Sequence, residues 1–201
     1  MDRHMKLPKS FYQRDNVLTI SQELLGKTLY SMSGDLLTGG IIIETEAYRG
    51  IEDRACHAYG DRRTKRTEVM YQEGGVCYVF LCYGMHALLN VVTHGAGHPH
   101  AVLIRALFPT HGIEHMRQRR KKNKLESQLT SGPGSLSQAL GITTEYNGVS
   151  LESSLIWIED KGHAFTSEEI LASPRVGVDY AGEDALLPWR FRVDKSHFAR
   201  A

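Results

Sequence analysis

The stretch Val76-Cys-Tyr-Val-Phe-Leu-Cys-Tyr83-Gly84-Met85-His86-Ala87-Leu-Leu-Asn90-Val-Val-Thr93 holds two extended apolar runs, residues 76–83 and 87–93, on either side of Gly84-Met85. That pattern predicts a β-hairpin. A side-chain period of two puts Tyr78 and Phe80 on one face and turns Tyr83 the other way, just before the tip. Further extended runs lie at residues 27–32, 36–48 with a break at Gly39-Gly40, 101–107, 155–159 and 189–193. Helical signals flank them. Asp15 or Asn16 is an N-cap, Val17, Ile20 and Leu24 share a face, and Gly26 is a stop. Residues 113–124 have helical character, as do residues 135–140 before Gly141. Thr166-x-x-Glu169 reads as a capping box opening a short helix that closes before Pro174. Strands in the middle with helices at the flanks predict an α+β fold: a single domain with a mixed or antiparallel central sheet, flanking helices and a protruding β-hairpin. No repeat or linker divides the chain, so residues 11–201 are expected to form the domain and residues 1–10 an N-terminal extension.

Composition narrows the class. The 201 residues are 41% apolar and 23% charged, which excludes disordered, collagen-like and coiled-coil chains. No apolar run nears the roughly 18 residues of a membrane span, and Met1-Asp2-Arg3-His4-Met5-Lys6 lacks the apolar segment of a secretory signal. Cys56, Cys77 and Cys82 are an odd set without C-x-x-C, which speaks against a disulfide framework or a zinc ribbon. Lys and Arg number 24 against 23 Asp and Glu, a formal charge of +1. Ten of those 24 cations fall in two windows: Arg62, Arg63, Lys65 and Arg66, then Arg117, Arg119, Arg120, Lys121, Lys122 and Lys124. Each window can neutralise phosphates, or can be a solvated helix face or loop.

Several residues have the chemistry of a site. In Ile41-Ile-Ile-Glu44-Thr-Glu46-Ala-Tyr48 an apolar strand turns acidic, and Glu44, Glu46 and Tyr48 share a face with the carboxylates about 7 Å apart. Such a pair suits general acid or base work, or it is the solvated end of an edge strand. Arg105 interrupts an apolar run, so it needs a carboxylate or an anionic substrate as partner, with Glu44 or Glu46 the natural candidate. Tyr83 either lies over its own sheet or acts as a wedge between stacked bases. Ser131-Gly-Pro-Gly-Ser135 runs into a helical stretch, where backbone N–H groups can hold a phosphate; without Gly-Lys-Ser/Thr it is no nucleotide-hydrolysis loop. His94-x3-His98-x-His100 has metal-like spacing but too few ligands, and reads as an exposed hairpin loop. Cys56 and His57 point apart on extended chain, which disfavours a thiolate nucleophile. Paired carboxylates and aromatics also fit a glycoside hydrolase, and the basic windows with Tyr83 fit a non-catalytic sensor of distorted DNA.

Taken together, Glu44-Thr-Glu-Ala-Tyr48, Glu52-Asp53, Ala55-Cys-His57, Tyr78 to Met85 with Asn90, Val102-Leu-Ile-Arg105-Ala-Leu, Ser131-Gly-Pro133, Arg175-Val-Gly-Val178 and Ala181-Gly-Glu183 resemble the monofunctional alkyladenine (3-methyladenine) DNA glycosylase family, in its order and spacing, over residues 11–193. The resemblance implies that Glu46 activates water for attack on the deoxyribose C1′, with Arg105 and the backbone carbonyl of Val176 holding that water. It implies a base pocket of Tyr48, Ala55, His57, Phe80 and Asn90, the last crowding the amino group of normal guanine. Tyr83 and Met85 would intercalate, and Arg62, Arg63, Lys65, Arg66, Arg119, Arg120 and Gly132 would contact phosphates. The family carries Tyr where this chain has Phe80, so a ring stacks there without a hydroxyl. The expected substrates are alkylated or deaminated purines such as 3-methyladenine, hypoxanthine and ethenoadenine. No metal or cofactor is implied, and the matching catalytic segments contain no Lys for Schiff-base chemistry. The partner would be double-stranded DNA containing damaged purines, with no membrane, bound by a monomer in a bacterial cytoplasm near the nucleoid, or in a eukaryotic nucleus.

Overall fold

A computed structural model describes residues 6–121 and 126–198. Two short helices, α1 (Lys9–Tyr12) and α2 (Val17–Glu23), precede strands β1 (Thr28–Ser33), β2 (Leu36–Arg49), β3 (Cys77–Cys82), β4 (His86–Thr93) and β5 (His100–His111). Helices α3 (Ile113–Arg120), α4 (Glu126–Leu129) and α5 (Pro133–Leu140) follow, then β6 (Ile156–Glu159), β7 (Leu171–Ser173) and β8 (Arg190–Arg192). The strands form one sheet in the order β3-β4-β5-β2-β1-β6, and β8 joins β7 to β2. Every pairing is antiparallel, which resolves the expected mixed-or-antiparallel alternative.

The hairpin, the α2 cap and the Arg105 strand lie where the sequence puts them. Asn16 accepts the N–H groups of Leu18 and Thr19. Strand alternation then separates two faces. On one, Thr45, Ala47, Val79, Val91, Val102 and Ile104 are buried, and α2 and α5 pack Ile20, Leu24, Leu136 and Leu140 into the same core. Thr45 anchors α2 through Ser21 at 2.9 Å. The other face carries Tyr78, Val92 and Ala101, packed with Cys56, Ala58, Met70 and Tyr71 from the loop after β2. The helices thus cover one side and leave the other to loops. Upstream of Phe11, Leu7 is buried in the main core and its N–H donates to the Ile158 carbonyl of β6.

Three expectations are corrected. β2 does not break at Gly39-Gly40; it bulges there and continues. A Cβ on Gly40 would stand 2.5 Å from the Phe108 carbonyl oxygen, so the glycines are needed for close strand approach rather than for a turn. The helix expected over residues 113–124 ends at Arg120, where Lys121 takes a left-handed conformation (φ 48°); Lys122 and Lys124 lie outside the described residues. The Thr166 N–H does donate to Glu169 at 2.8 Å, but no helix follows, because residues 171–173 pair with β8 as β7. A local cap loses to a tertiary strand pairing.

Candidate active site

Strand register builds the site. Tyr78 faces Asn90, Asn90 faces Leu103 and Leu103 faces Glu46, a single row across β3, β4, β5 and β2. The neighbouring row sets Val92, Ala101 and Tyr48 side by side. Residues far apart in sequence therefore converge on the face that the loop after β2 covers.

Glu46 is 0% exposed. Its Oε1 accepts the Val176 N–H at 2.8 Å and lies 3.3 Å from Arg105 Nη1, while its Oε2 accepts the Tyr48 hydroxyl at 2.8 Å. Burial raises its pKa above the usual carboxylate range, against the opposing pull of Arg105, the Val176 N–H and the Tyr48 hydroxyl. Glu44 takes the rest of the positive charge: its Oε1 accepts Arg105 Nε–H at 3.0 Å and lies 3.5 Å from Arg190 Nη1. Arg105 thus has the carboxylate partners that its apolar surroundings demand. Val176 meets Glu46 through its N–H.

Above this group opens a cleft of about 480 Å³ lined by Tyr48, His57, Phe80, Asn90, Arg105 and Val176, among others. That is the size range of a small-ligand site. Ala55, also on its wall, is buried beneath Tyr180, whose hydroxyl donates to the Ala55 carbonyl at 2.9 Å. His57 meets Phe80 edge-on at 4.6 Å between ring centres, and its Nδ1 is 2.8 Å from the Tyr78 hydroxyl. Burial, then the nearby Arg66 and Arg62 charges, push the His57 pKa down to about 4, so the ring is neutral at pH 7. Asn90 is held in place by donating its amide to the Tyr78 carbonyl at 3.2 Å. Cys56 is buried and its thiol pushed up to about 12, which removes it as a nucleophile.

The hairpin tip stands clear of the protein, with Tyr83 87% and Met85 73% exposed. Met85 N–H donates to the Cys82 carbonyl, and Tyr83 and Gly84 both have positive φ, 51° and 69°. Gly132 precedes α5, whose first turn has no side-chain cap and whose Pro133 lines the cleft. Arg62, Arg63, Lys65 and Arg66 are all exposed on the loop after His57. Arg66 also lies on the cleft wall, its guanidinium 4.7 Å from the Phe80 ring centre and 3.0 Å from His57 Nε2.

The second basic window is partly bonded within the protein. Arg119 donates to the Ala139 carbonyl at 3.1 Å and Arg120 to the Gln138 side chain at 2.7 Å. Both therefore brace the C-terminal end of α5, while the cleft touches its N-terminal Pro133. The His94, His98 and His100 rings cluster at 4.2 and 4.9 Å on the β4–β5 connection, yet among the described residues no group of three or more His, Cys, Asp or Glu can hold a metal. Asp53 and Arg175 form a fully buried ion pair beside Tyr48. Arg175 stands in small and apolar sequence, Pro174 before it and Val176 after it, which is a signal of the same kind as Arg105; Asp53, between Glu52 and Arg54, carries none.

What such a cleft can do is narrow. It can stack a flat ring and bring a carboxylate to the bond from which that ring hangs, the chemistry of an enzyme that cleaves N-glycosidic bonds of extruded bases. A profile described as methylpurine-DNA glycosylase matches residues 10–197. A protein of Chlamydia felis provisionally named 3-methyladenine DNA glycosylase is 52% identical over 189 residues, covering 94% of this chain and 96% of its own. One of the same name from Chlamydia abortus is 52% identical over 186 residues, covering 92% and 96%. A third, from Bacillus mycoides, is 45% identical over 202 residues, covering 96% and 98%. The chain belongs to the methylpurine-DNA glycosylase family. It is a DNA N-glycosylase, a hydrolase of DNA repair that acts on alkylation damage.

Proposed function

We propose that the protein extrudes alkylated or deaminated purines from duplex DNA and hydrolyses the N-glycosidic bond with water activated by Glu46. The observation that carries this reading is the environment of Glu46: a fully buried carboxylate with a raised pKa, held by Arg105, the Val176 N–H and the Tyr48 hydroxyl at the foot of an aromatic cleft. As the C–N bond opens, the sugar gains oxocarbenium character. A carboxylate stabilises that charge and takes the proton of the incoming water. Arg105 and the Val176 backbone orient the reactants.

Stacking among Tyr48, His57 and Phe80 offsets the cost of extrusion by about 1–3 kcal/mol per ring. Cationic leaving groups such as 3-methyladenine depart most readily; hypoxanthine and ethenoadenine fit the same slot. Asn90, fixed by its bond to the Tyr78 carbonyl, screens the exocyclic amino group of guanine. Tyr83 fills the gap in the duplex, Met85 flanks it, and Arg62, Arg63, Lys65, Arg66 and the Gly132 backbone hold phosphates. Glu44 balances Arg105 and Arg190. The enzyme works as a monomer without metal or cofactor, in the cytoplasm of a bacterium.

An abasic-site assay with EDTA present tests this, on duplexes carrying 3-methyladenine, 7-methylguanine, hypoxanthine or ethenoadenine. Release of at least one lesion and none of undamaged guanine is expected. Failure on all four, or dependence on added metal, would contradict it.

A further inference from the structure

We propose that the Asp53–Arg175 ion pair is a positioning device that fixes the Val176 N–H on Glu46 and the Tyr48 ring over the cleft. This rests on Glu46 being the base. Both side chains of the pair are 0% exposed. Arg175 Nη1 donates to Asp53 Oδ2 at 2.5 Å and Nη2 to Oδ1 at 2.8 Å. The same guanidinium donates to the carbonyls of Ala47 at 2.9 Å and Asp184 at 3.1 Å. It lies over two rings, 4.9 Å from the centre of Tyr48 and 5.0 Å from that of Trp189. Asp53 in turn accepts the N–H groups of Arg49 at 3.0 Å and Ala55 at 2.9 Å.

One guanidinium therefore grips β2 at Ala47, the residue between Glu46 and Tyr48, while its own chain continues into Val176. Asp53 ties the same charge to the loop that carries Ala55 and His57. Three segments that share no regular pairing with one another are locked to a common point. A buried ion pair is poor value as a source of stability, because desolvation cancels most of the attraction. Its geometry is of more use: a planar, bidentate fork fixes orientation as well as distance, which Lys cannot reproduce.

Positioning and simple stability separate in the pH profile. The Val176 N–H and the Tyr48 hydroxyl both favour ionised Glu46. If Arg175 holds them there, loosening it moves the acid limb of base release to higher pH. The experiment measures single-turnover release from lesion duplex between pH 5 and 9 for the full chain and for Arg175→Lys, with Tm and lesion-DNA Kd alongside. The expected result is a 10- to 100-fold lower rate at neutral pH, roughly the cost of a misplacement of about 1 Å, an acid limb displaced upward, and Kd within about threefold. A folded Arg175→Lys with the parental rate and limb overturns the proposal. If Arg175→Lys does not fold, Trp189→Leu removes one of the two rings against the guanidinium without leaving a buried charge unpaired. It should move the limb in the same direction, and an unmoved limb again overturns the proposal. Glu46→Gln is run in parallel. Should it keep the parental rate, the reading of Glu46 falls and the positioning role with it; should it lose release while the Arg175 and Trp189 variants keep the parental limb, only the positioning role falls.

Discussion

Glu46 is held by three favourable contacts, yet burial still raises its pKa, so at neutral pH its charge works against folding. The folded-state value lies above the unfolded one. The native state therefore binds the proton more tightly, and stability falls as pH rises from the ordinary carboxylate value, about 4.3, through the raised one. Glu46→Gln should accordingly raise Tm at pH 7, by about 2–4 °C for each kcal/mol relieved. The gain should vanish below pH 4, where the parental carboxyl is also neutral. Thermal melts across that range check this, and a lower Tm at pH 7 would refute it. His57 runs the other way. Its folded value of about 4 lies below the ordinary 6.5, so stability is lost as pH falls through that window, the unfolded chain taking up the proton first. Arg66→Gln removes a nearby cation. The ring's NMR titration midpoint should rise toward 6.5, and an unchanged midpoint would leave burial and Arg62 as the causes.

The elements that form the site differ in how plainly the sequence announces them. The β3–β4 hairpin and the end of β2 are local patterns: alternation places Tyr78 with Phe80, and Glu44 with Glu46 and Tyr48, before any tertiary contact is known. Arg105 announces its need for a carboxylate in the same way. Cross-strand register is not local, so the row joining Tyr78, Asn90, Leu103 and Glu46 could not be read from residues alone. Nor could the role of Arg175, which meets Asp53 from 122 positions away. Thr166-x-x-Glu169 misled because a capping pattern is short-range and the pairing of β7 with β8 is not. Charge density likewise says nothing about whether a guanidinium is bonded to a helix end, as that of Arg119 is. Two substitutions test the elements themselves. Gly40→Ala would press a Cβ against Phe108 and should cost about 1–3 kcal/mol in denaturant unfolding; no change would mean that the strands can separate there freely. Tyr83→Asn keeps a residue that tolerates positive φ at the exposed tip, so stability should hold within about 0.5 kcal/mol. Cleavage of a paired lesion should nevertheless fall more than cleavage of an unpaired one. Equal losses would remove the wedge role.

At the scale of the whole molecule, a net charge of +1 conceals one exposed basic loop beside the cleft and a second basic window partly spent on bracing α5. On the reading proposed above, the phosphate contacts come chiefly from Arg62, Arg63, Lys65 and Arg66, all exposed, and selection rests on shape, stacking and extrusion more than on bulk attraction. With three to five phosphate contacts, log Kd against log salt should have a slope of about 3–4.5 in magnitude. A slope near 10 would mean a far larger ionic interface. The proposed chemistry turns on one carboxylate, that of Glu46. Single-turnover release of 3-methyladenine from alkylated duplex DNA, compared between the parental chain and Glu46→Gln, tests it most directly. Glu46→Gln should bind the lesion duplex as the parent does and release base at least 100-fold more slowly. Release at the parental rate would show that Glu46 is not the base.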